Sequence, residues 1–400
     1  MAQFDVPGVY IQEVSTGTKP IEAATTTTAA MLGVAPKADA YVDVPRACNN
    51  WSEFVRDFMP KGSKPTHLAY AAYGYFMNGG RRLYVVNVGP SGKIAGDASK
   101  GTGIHALESY DEPSMVAAPG FTAPGDYRAL LDHAEKLGDR VAILDGPERV
   151  DDAKELTEVA SADAPAAAAG ADGGAAASKR SGKRPPDSKY GACYYPWLVM
   201  TDPFGGAGDV VVPPSGHIAG IYADNDYRRG VHKAPANYPI RTVIGLSQRV
   251  TREQQGVLNQ AGINCIRFFS EAGIRVWGAR TLSQTDPEWR YVNVRRLFNM
   301  IEESIANGTR WVVFEPNDQI TRNSVARDCR AFLRLQWLSG ALVGATPEQA
   351  FFVKCDAENN PPEVVDAGRL VVDIGIAPSK PAEFIVFRIG QWSGGTEVNG

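Results

Sequence analysis

Short β-type runs bounded by proline and glycine lie near both ends of the 400-residue sequence. The first reads Pro7-Gly8-Val9-Tyr10-Ile11-Gln12-Glu13-Val14, and the second reads Pro381-Ala382-Glu383-Phe384-Ile385-Val386-Phe387-Arg388-Ile389. A strand near a chain end frays unless another strand satisfies its backbone N–H and C=O groups. The partner edge belongs either to the same subunit or to a neighbouring one. In the second case the chain is the building block of a polymer.

Composition indicates a globular protein of two or three domains. The apolar share is 44% and the formal net charge is −4, so no overall basic field attracts nucleic acid. Five cysteines without a CxxC pair predict reduced thiols and not a disulfide framework. The first residues lack a basic and an apolar region, so we expect no signal peptide. No apolar run reaches the roughly 20 residues that span a bilayer, and we expect no direct membrane insertion.

Alternating strands and helices predict an α/β fold with a parallel sheet. Strands are predicted at 25–34, 83–88, 114–118, 140–145, 192–200 and 311–314, and helices at 51–58, 68–77, 127–137, 150–160 and 294–305. A further helix buries one face formed by Val325, Cys329, Phe332 and Gln336. Residues 161–187 are rich in Ala, Gly and Ser, which predicts a flexible surface loop.

Further sequence blocks lie between the two end runs. They are Glu53-Phe54 with Phe58, Leu68-Ala69-Tyr70-Ala71, Phe76-Met77-Asn78-Gly79-Gly80, Leu83-Tyr84-Val85-Val86, Trp277-Gly278-Ala279-Arg280-Thr281-Leu282, Trp289-Arg290-Tyr291-Val292-Asn293-Val294-Arg295-Arg296-Leu297, Trp311-Val312-Val313-Phe314-Glu315-Pro316-Asn317-Asp318, Gly340-Ala341-Leu342 and Ala350-Phe351-Phe352-Val353-Lys354-Cys355-Asp356. In this order, they resemble the contractile tail sheath family of phage tails, R-type bacteriocins and extracellular contractile injection systems. Gln319-Ile320 stand where that family's pattern has a tryptophan.

The resemblance implies a structural subunit without enzymatic activity, cofactor or metal. Such subunits polymerise as stacked hexameric rings, a helical sheath, around an inner tube and contract to drive the tube through a target envelope. The implied partners are further copies of the chain, an inner tube protein, and baseplate and terminal cap proteins, with no nucleic acid. The implied location is the bacterial cytoplasm, where a phage tail-like particle is assembled before its release from the cell.

The resemblance also implies a non-catalytic, subtilisin-like α/β domain and a C-terminal α+β sheath domain with extended β-arms. We expect an N-terminal arm at 1–22, the N-terminal part of the core at 23–90, the subtilisin-like domain at 91–280, the sheath domain facing the inner tube at 281–378 and a C-terminal arm at 379–400. Contacts with neighbouring subunits are expected from Val9, Tyr10, Ile11, Glu13, Phe384, Ile385, Val386, Phe387 and Ile389. Thr16-Gly17 and 377–381 are the expected hinges.

Three arginines, Arg327, Arg330 and Arg334, fall on the face of a predicted helix opposite its apolar residues. The nearest acid on that helix is Asp328, so the local charge is positive. A solvated helix face is one interpretation. Contact with an acidic inner tube is a second, and phosphate binding is a third that only the charge favours.

A subtilisin-like hydrolase is the main alternative function. His217-Ile218-Ala219-Gly220 resembles a helix segment that follows the nucleophile of subtilases, but the family's spacing then places Val212 at the nucleophile's position. Valine cannot attack a carbonyl, and Ser215 is out of register. None of the five histidines has a motif that places it beside an acid. Turnover of a serine-reactive probe would favour the hydrolase.

A static tube or shell protein is the other alternative. It would form cylinders of a single diameter, whereas a sheath has an extended and a contracted diameter.

Overall fold

The computed structural model describes residues 20–90, 92–160, 182–206 and 208–386. The strands are β1 (Ala29–Gly33), β2 (Arg46–Cys48), β3 (Leu83–Asn87), β4 (Met115–Ala117), β5 (Val141–Asp145), β6 (Gly191–Tyr195), β7 (Leu198–Thr201), β8 (Asp209–Val212), β9 (Gly245–Leu246), β10 (Ile263–Phe269), β11 (Gly273–Val276), β12 (Phe351–Lys354) and β13 (Asp373–Ile376). The helices are α1 (Trp51–Phe58), α2 (His67–Met77), α3 (Pro124–Leu137), α4 (Ser215–Arg229), α5 (Arg252–Gln260), α6 (Val292–Gly308), α7 (Gln319–Leu338), α8 (Pro347–Ala350) and α9 (Pro362–Asp366).

Two compact units make up the chain. The large unit is Thr27–Arg296 with the described part of Ser379–Gly400, and the small unit is Leu297–Pro378 with the described part of Met1–Thr26. The sheath core, subtilisin-like domain, sheath domain and arms expected from the sequence divide the chain at other positions, and that finer division stays a prediction.

An eight-stranded sheet forms the centre of the large unit, in the order β11-β10-β6-β5-β4-β1-β3-β2. The inner strands, from β10 to β3, run parallel, which confirms the α/β class predicted from the alternation of elements. The edge strands β11 and β2 pair antiparallel with β10 and β3.

Both faces of this sheet are buried. Successive side chains of a strand point to opposite sides, and in this sheet each side is covered by its own apolar cluster. In β1, Met31 belongs to one apolar cluster and Leu32 to another, and in β5 the same holds for Ile143 and Leu144. Residues of α2 and α4 complete the first cluster, and residues of α3 and α5 complete the second. The strands therefore read as continuous apolar runs, and the helices cover them on both sides.

Glycines allow α2 and α4 to approach each other closely. A Cβ atom at Gly216 would lie 2.4 Å from the backbone of Ala71. At Gly74 an added Cβ would lie 2.3 Å from the ring of His217, which is fully buried. His217 is thus a packing residue between two helices.

The single strand predicted at 192–200 is wrong. β6 lies in the eight-stranded sheet, whereas β7 lies in a three-stranded sheet of order β8-β7-β9. Pro196, between β6 and β7, has no backbone N–H and cannot continue the hydrogen bonds of a strand. The chain therefore leaves one sheet here and enters another.

The α-helix predicted at 150–160 is also wrong, since this region holds only a 3₁₀ turn, Ala153–Thr157. The carboxylate of Asp152 accepts a hydrogen bond of 3.0 Å from the backbone N–H of Lys154. Aspartate that bonds its neighbouring backbone in this way competes with continuous helix.

The surface loop predicted at 161–187 extends too far. Residues 161–181 lie outside the described residues, but Arg184 is only 2% exposed. Its guanidinium donates to the carbonyl of Ala261 at 2.7 Å and to that of Leu282 at 2.8 Å. An arginine in a low-complexity run is usually solvated, and here its planar fork instead satisfies two buried carbonyls.

Helix α7 packs with the two-stranded sheet β12–β13 in the small unit. The carboxylate of Asp318 caps α7 by accepting a hydrogen bond of 2.8 Å from the N–H of Thr321. The apolar face predicted from the spacing of Val325, Cys329 and Phe332 is buried. The helix predicted at 294–305 is confirmed as α6, which ends at Gly308.

The strand predicted at 311–314 is wrong. A 3₁₀ turn, Arg310–Val312, stands in its place. Phe314 has φ 71°, outside the β region, and its side chain is 102% exposed. Aromatic and β-branched residues favour a strand only where a neighbouring strand completes its hydrogen bonds, and in the described part of the chain none pairs with this segment.

A buried ion pair joins α4 to the start of α6 within the large unit. The Arg296 guanidinium contacts the Asp226 carboxylate at 2.6 and 3.1 Å, and these side chains are 3% and 1% exposed. Asp226→Asn leaves the arginine charge buried without its counter-charge, and we expect the free energy of unfolding to fall by about 3–5 kcal/mol. Urea denaturation of the isolated subunit measures this loss.

The matched control is Asp224→Asn, two residues earlier in the same helix. Asp224 pairs with Arg228, whose side chain is 59% exposed, and such a pair contributes about 1 kcal/mol or less. If the free energy of unfolding fell equally in the two variants, burial of the Asp226–Arg296 pair would not explain its contribution to stability.

Candidate interaction surfaces

The root of the N-terminal segment is held at the end of α6 in the small unit. Ile21 is 6% exposed and lies against Gly308, where an added Cβ would come within 2.6 Å of the isoleucine side chain. The N–H of Ala24 donates to Ser304 Oγ at 2.8 Å. The contacts predicted for the first arm, Val9, Tyr10, Ile11 and Glu13, and the hinge at Thr16-Gly17 fall outside the described residues.

The root of the C-terminal segment is held in the large unit by Glu383. Its carboxylate accepts hydrogen bonds from Arg280 at 2.9 and 2.7 Å, from Asn259 at 2.8 Å and from the hydroxyl of Tyr291 at 3.0 Å. Burial alone would raise the pKa of Glu383, but the hydrogen bonds from Arg280 and Asn259 outweigh it and hold that pKa below its usual value.

Beyond Glu383 the side chains face outward. Phe384, Ile385 and Val386, all predicted arm contacts, are 72%, 74% and 78% exposed. Phe387 and Ile389 fall outside the described residues. Three consecutive large apolar side chains in water are costly, so this stretch is a candidate contact surface.

The two-stranded sheet of the small unit has open edges. β12 and β13 pair with each other, and among the described residues no third strand joins them. Phe352 stands opposite Gly375, and the N–H of Ala377 bonds Ala350 O. Because bonded pairs alternate in an antiparallel ladder, the backbone groups of Val353 point away from β13. The outer edge of β12 therefore carries no further strand among the described residues, although the Val353 carbonyl accepts a hydrogen bond from a side chain of α7.

Aromatic surface accompanies this edge. Phe352 is 59% exposed on β12, and its ring lies across Gly375, where an added Cβ would meet the ring at 2.1 Å. The sheet thus offers an apolar side chain beside an edge that no further strand covers among the described residues. Strand addition uses both features, hydrogen bonds for affinity and side chains for specificity.

The three predicted arginines of α7 are exposed, but they differ in their contacts. Arg330 donates to the outward carbonyl of Val353 at 2.8 Å, so it stabilises the edge of β12. Arg327 contacts Asp328 at 3.1 Å. The sequence therefore predicted their exposure, but not that Arg330 binds backbone.

Two leucines extend the exposed face of α7. Leu335 and Leu338 are 61% and 65% exposed and follow Arg327 and Arg334 at helical spacing. Sequence reasoning missed them, because leucine at helical spacing usually indicates core. A mixed basic and apolar face is typical of a docking surface more than of a solvated helix.

Asp145 and Ser215 meet where β5 ends and α4 begins. The Asp145 carboxylate accepts hydrogen bonds from Ser215 N–H at 2.7 Å, from Ser215 Oγ at 2.8 Å and from Gly120 N–H at 3.0 Å. A serine nucleophile instead donates to a histidine that can take its proton. This arrangement fixes the helix start, and among the described residues no histidine bonds the Ser215 hydroxyl.

Burial lowers the pKa of His217 to about 4, so this imidazole is neutral near pH 7. Its closest polar partner is Thr242 Oγ1, 3.4 Å from Nε2. Val212, at the position where subtilase spacing would place the nucleophile, is a fully buried strand residue. None of these contacts joins His217 to Ser215.

The family descriptions "Phage tail sheath protein central domain" and "Phage tail sheath C-terminal domain" match residues 123–282 and 284–391. The structure is also similar to a sheath complex of an extracellular contractile injection system, named PVC, in its contracted state. That similarity covers 98% of this chain and 99% of the PVC chain, with a TM-score of 0.75 and 28% identity. The chain belongs to the contractile tail sheath family.

Phage relatives in this family match over a shorter stretch. The tail sheath protein of Vibrio phage KVP40 is 33% identical over 178 residues, which is 44% of this chain and 26% of the phage protein. That of Enterobacteria phage T4 is 28% identical over 191 residues, 47% of this chain and 28% of the phage protein. This sheath-family chain thus spans about a quarter of the length of the two phage proteins.

The described parts of this sheath protein contain no cluster of three or more His, Cys, Asp or Glu residues that could hold a metal ion. No helix there combines the length and apolar character needed to cross a bilayer. All five cysteines are buried and free.

Burial raises the pKa of Asp145 to about 6, although hydrogen bonds from Gly120 and Ser215 oppose the shift. In the unfolded chain an aspartate has its ordinary pKa of about 3.9. Between these pKa values the folded state keeps a proton that the unfolded state has lost. Through this group, the free energy of unfolding should fall by about 3 kcal/mol as the pH rises from about 4 to about 6.

Asp145→Asn removes the titrating group and should flatten this part of the pH profile, measured by urea denaturation across that range. Asp132→Asn, an exposed carboxylate on α3, is the control and should keep the wild-type slope. A wild-type slope in Asp145→Asn would show that another group causes the pH dependence.

Proposed function

We propose that this chain is the repeating subunit of a contractile sheath. Copies polymerise as stacked hexameric rings around an inner tube, and their rearrangement into a shorter, wider lattice drives the tube through a target envelope. The observation that carries this proposal is the similarity to the contracted PVC sheath over nearly the whole of both chains. Similarity to a baseplate of the anti-feeding prophage, TM-score 0.72, supports baseplate proteins as further partners. Terminal cap proteins are proposed partners on the family resemblance alone.

The arms would bind neighbouring copies. Ordering one arm residue costs about 1–2 kcal/mol of backbone entropy, and a strand hydrogen bond returns about 0.5–1.5 kcal/mol. Side-chain burial must supply the remainder, about 1.5–3 kcal/mol for each large apolar group. Phe384, Ile385 and Val386 are exposed and can provide it. Val9, Ile11, Phe387 and Ile389 would add to this burial.

The acceptor would be the edge of β12–β13 in another subunit. This sheet has open edges and an exposed aromatic ring, and its small size makes it marginal alone. Adding arm strands on both edges would complete its hydrogen bonds. The bodies would then stay linked while they rotate about the hinges predicted at Thr16-Gly17 and 377–381.

The substitution Phe352→Asp places a charge on the proposed acceptor sheet. We expect assembly to require at least about tenfold more subunit, because an apolar contact is lost and a charge must be desolvated on docking. Sedimentation of assembled cylinders over a concentration series measures the threshold.

The control is Ile244→Asp in the large unit, because Ile244 and Phe352 are both 59% exposed. It should assemble at the wild-type threshold. Unchanged assembly of Phe352→Asp would exclude this edge as the acceptor.

The inner tube would bind the exposed face of α7. Arg327 and Arg334 supply positive charge, and Leu335 and Leu338 supply apolar area. A tube surface with acidic and apolar groups fits this combination better than phosphate, which needs no leucine. Arg330 would contribute less directly, since its guanidinium already bonds Val353.

Reversing both charges, Arg327→Glu with Arg334→Glu, should reduce co-sedimentation of sheath with the inner tube by about tenfold or more, because like charges then face each other. Sheath cylinders should still form. Arg149→Glu with Arg252→Glu, two exposed arginines of the large unit, is the control with the same charge change. Equal loss in both pairs would point to net charge and not to this face.

Contraction would need no nucleotide, because the drop in free energy between two lattices supplies the work. We therefore infer a structural and not an enzymatic role, with the subtilisin-like α/β body serving as a scaffold. The predicted low-complexity loop that begins at residue 161 would face outward on the particle, and the particle would be assembled in the bacterial cytoplasm before its release.

A further inference from the structure

The C-terminal segment is attached to the large unit mainly through one polar side chain. Between Ser379 and Val386, Glu383 is the residue on which several hydrogen bonds converge, and the next three side chains are exposed. Before this segment, Pro378 bridges Leu342 in the small unit. Glu383 thus stands where the fixed chain ends and the exposed arm residues begin.

The receiving site is built from three separate elements. Asn259 comes from the end of α5, Arg280 from the loop after β11, and Tyr291 from the residue before α6. Arg280 uses two nitrogens for the Glu383 carboxylate, at 2.9 and 2.7 Å. A planar guanidinium matches a carboxylate in this bidentate way, and such bonds are among the stronger ones in proteins.

Arg280 is held in place independently of Glu383. Its third guanidinium nitrogen donates to the carbonyl of Asn259 at 3.0 Å. Its backbone N–H and carbonyl bond the side-chain amide of Asn264 at 2.7 and 2.8 Å. The site is therefore formed before a carboxylate arrives, which lowers the entropy lost on binding.

The contact is polar and only partly shielded. The side chains of Arg280 and Glu383 are 13% and 20% exposed. Water can therefore compete for the carboxylate, whereas it competes poorly in a dry apolar contact. Such a site suits a contact in which Glu383 binds Arg280 and dissociates from it reversibly.

We propose that Glu383 is a positioning residue that fixes the point at which the C-terminal arm leaves the body. This inference rests on the proposed sheath function. With Glu383 bound, the free tether begins at Phe384. With Glu383 released, it begins after Ser379, whose carbonyl accepts a hydrogen bond of 3.4 Å from Asn293. Four further residues then add roughly 14 Å of reach at 3.3–3.6 Å per residue. The carboxylate therefore selects between a short and a long link to the neighbouring subunit.

The isolated subunit tests the first part. Spin labels on Glu253→Cys, in α5, and on Val386→Cys report the distance between the body and the arm root by pulsed electron paramagnetic resonance. Because the native cysteines are all buried, the labels react at the introduced sites. We expect one narrow distance distribution with Glu383, and a broad one without a single maximum in Glu383→Gln.

Two further variants separate geometry from charge. Arg280→Lys keeps the positive charge but loses the planar fork, and should broaden the distribution to an intermediate degree. Glu271→Gln removes an exposed carboxylate in the turn between β10 and β11 and should leave it narrow. A narrow distribution in Glu383→Gln would overturn the proposal.

Assembly tests the second part. Glu383→Gln subunits should form cylinders only at about tenfold or higher concentration, because the charged hydrogen bonds to Arg280 are lost and more chain must be ordered on docking. A broadened distribution with unchanged assembly would show that the departure point does not matter. Failure of the wild type to form cylinders would instead contradict the sheath function, while the distance measurement would still judge Glu383.

Discussion

A strand at the edge of a sheet leaves every second pair of backbone groups without a strand partner. In the small unit both β12 and β13 are such edge strands. Arg330 satisfies one outward carbonyl, that of Val353, and Phe352 leaves an aromatic ring in water beside it. The residues from Phe384 to Val386 complement this edge, because their apolar side chains are exposed and can cover an apolar surface. We interpret the sheet edge and the arm as two incomplete halves of one interface between copies.

The large unit differs, because β11, one of the two edge strands of its eight-stranded sheet, is already covered. Along β11, the N–H of Asn237 bonds Val276 O at 2.7 Å, and the N–H of Ile240 bonds Ile274 O at 3.1 Å. A covered edge does not recruit another chain. At the strand ends, where α/β enzymes place their ligands, Asp145 and Ser215 satisfy each other and hold the start of α4. This body is suited to act as a rigid scaffold, and we propose that the small unit and the arms make the links.

Local patterns predicted the elements whose stability is local. Continuous apolar runs gave β1, β3 and β5, and helical spacing gave α1, α2, α6 and the buried face of α7. The wrong predictions concern segments whose structure depends on residues far away in the sequence. Trp311 to Phe314 has strand-forming residues, but no strand of the described residues pairs with it. Arg184 is buried because carbonyls far along the chain accept its hydrogen bonds.

The candidate surfaces follow the same rule. The apolar arm residues were visible in the sequence, since three large side chains in a row beside prolines indicate a strand. Glu383 was not visible as an anchor, because Arg280 and Asn259 lie 103 and 124 positions away. The leucines of α7 were missed because only the packed structure shows which positions of a helix remain exposed.

The most direct test of the account is a cryo-EM map of assembled particles that resolves the chain from Glu383 onward and the edges of β12 and β13. We predict that residues 384–389 of one subunit lie as a strand on the β12–β13 sheet of another, with continuous density back to their own body. A particle in which those residues pair only with their own subunit would contradict the central claim.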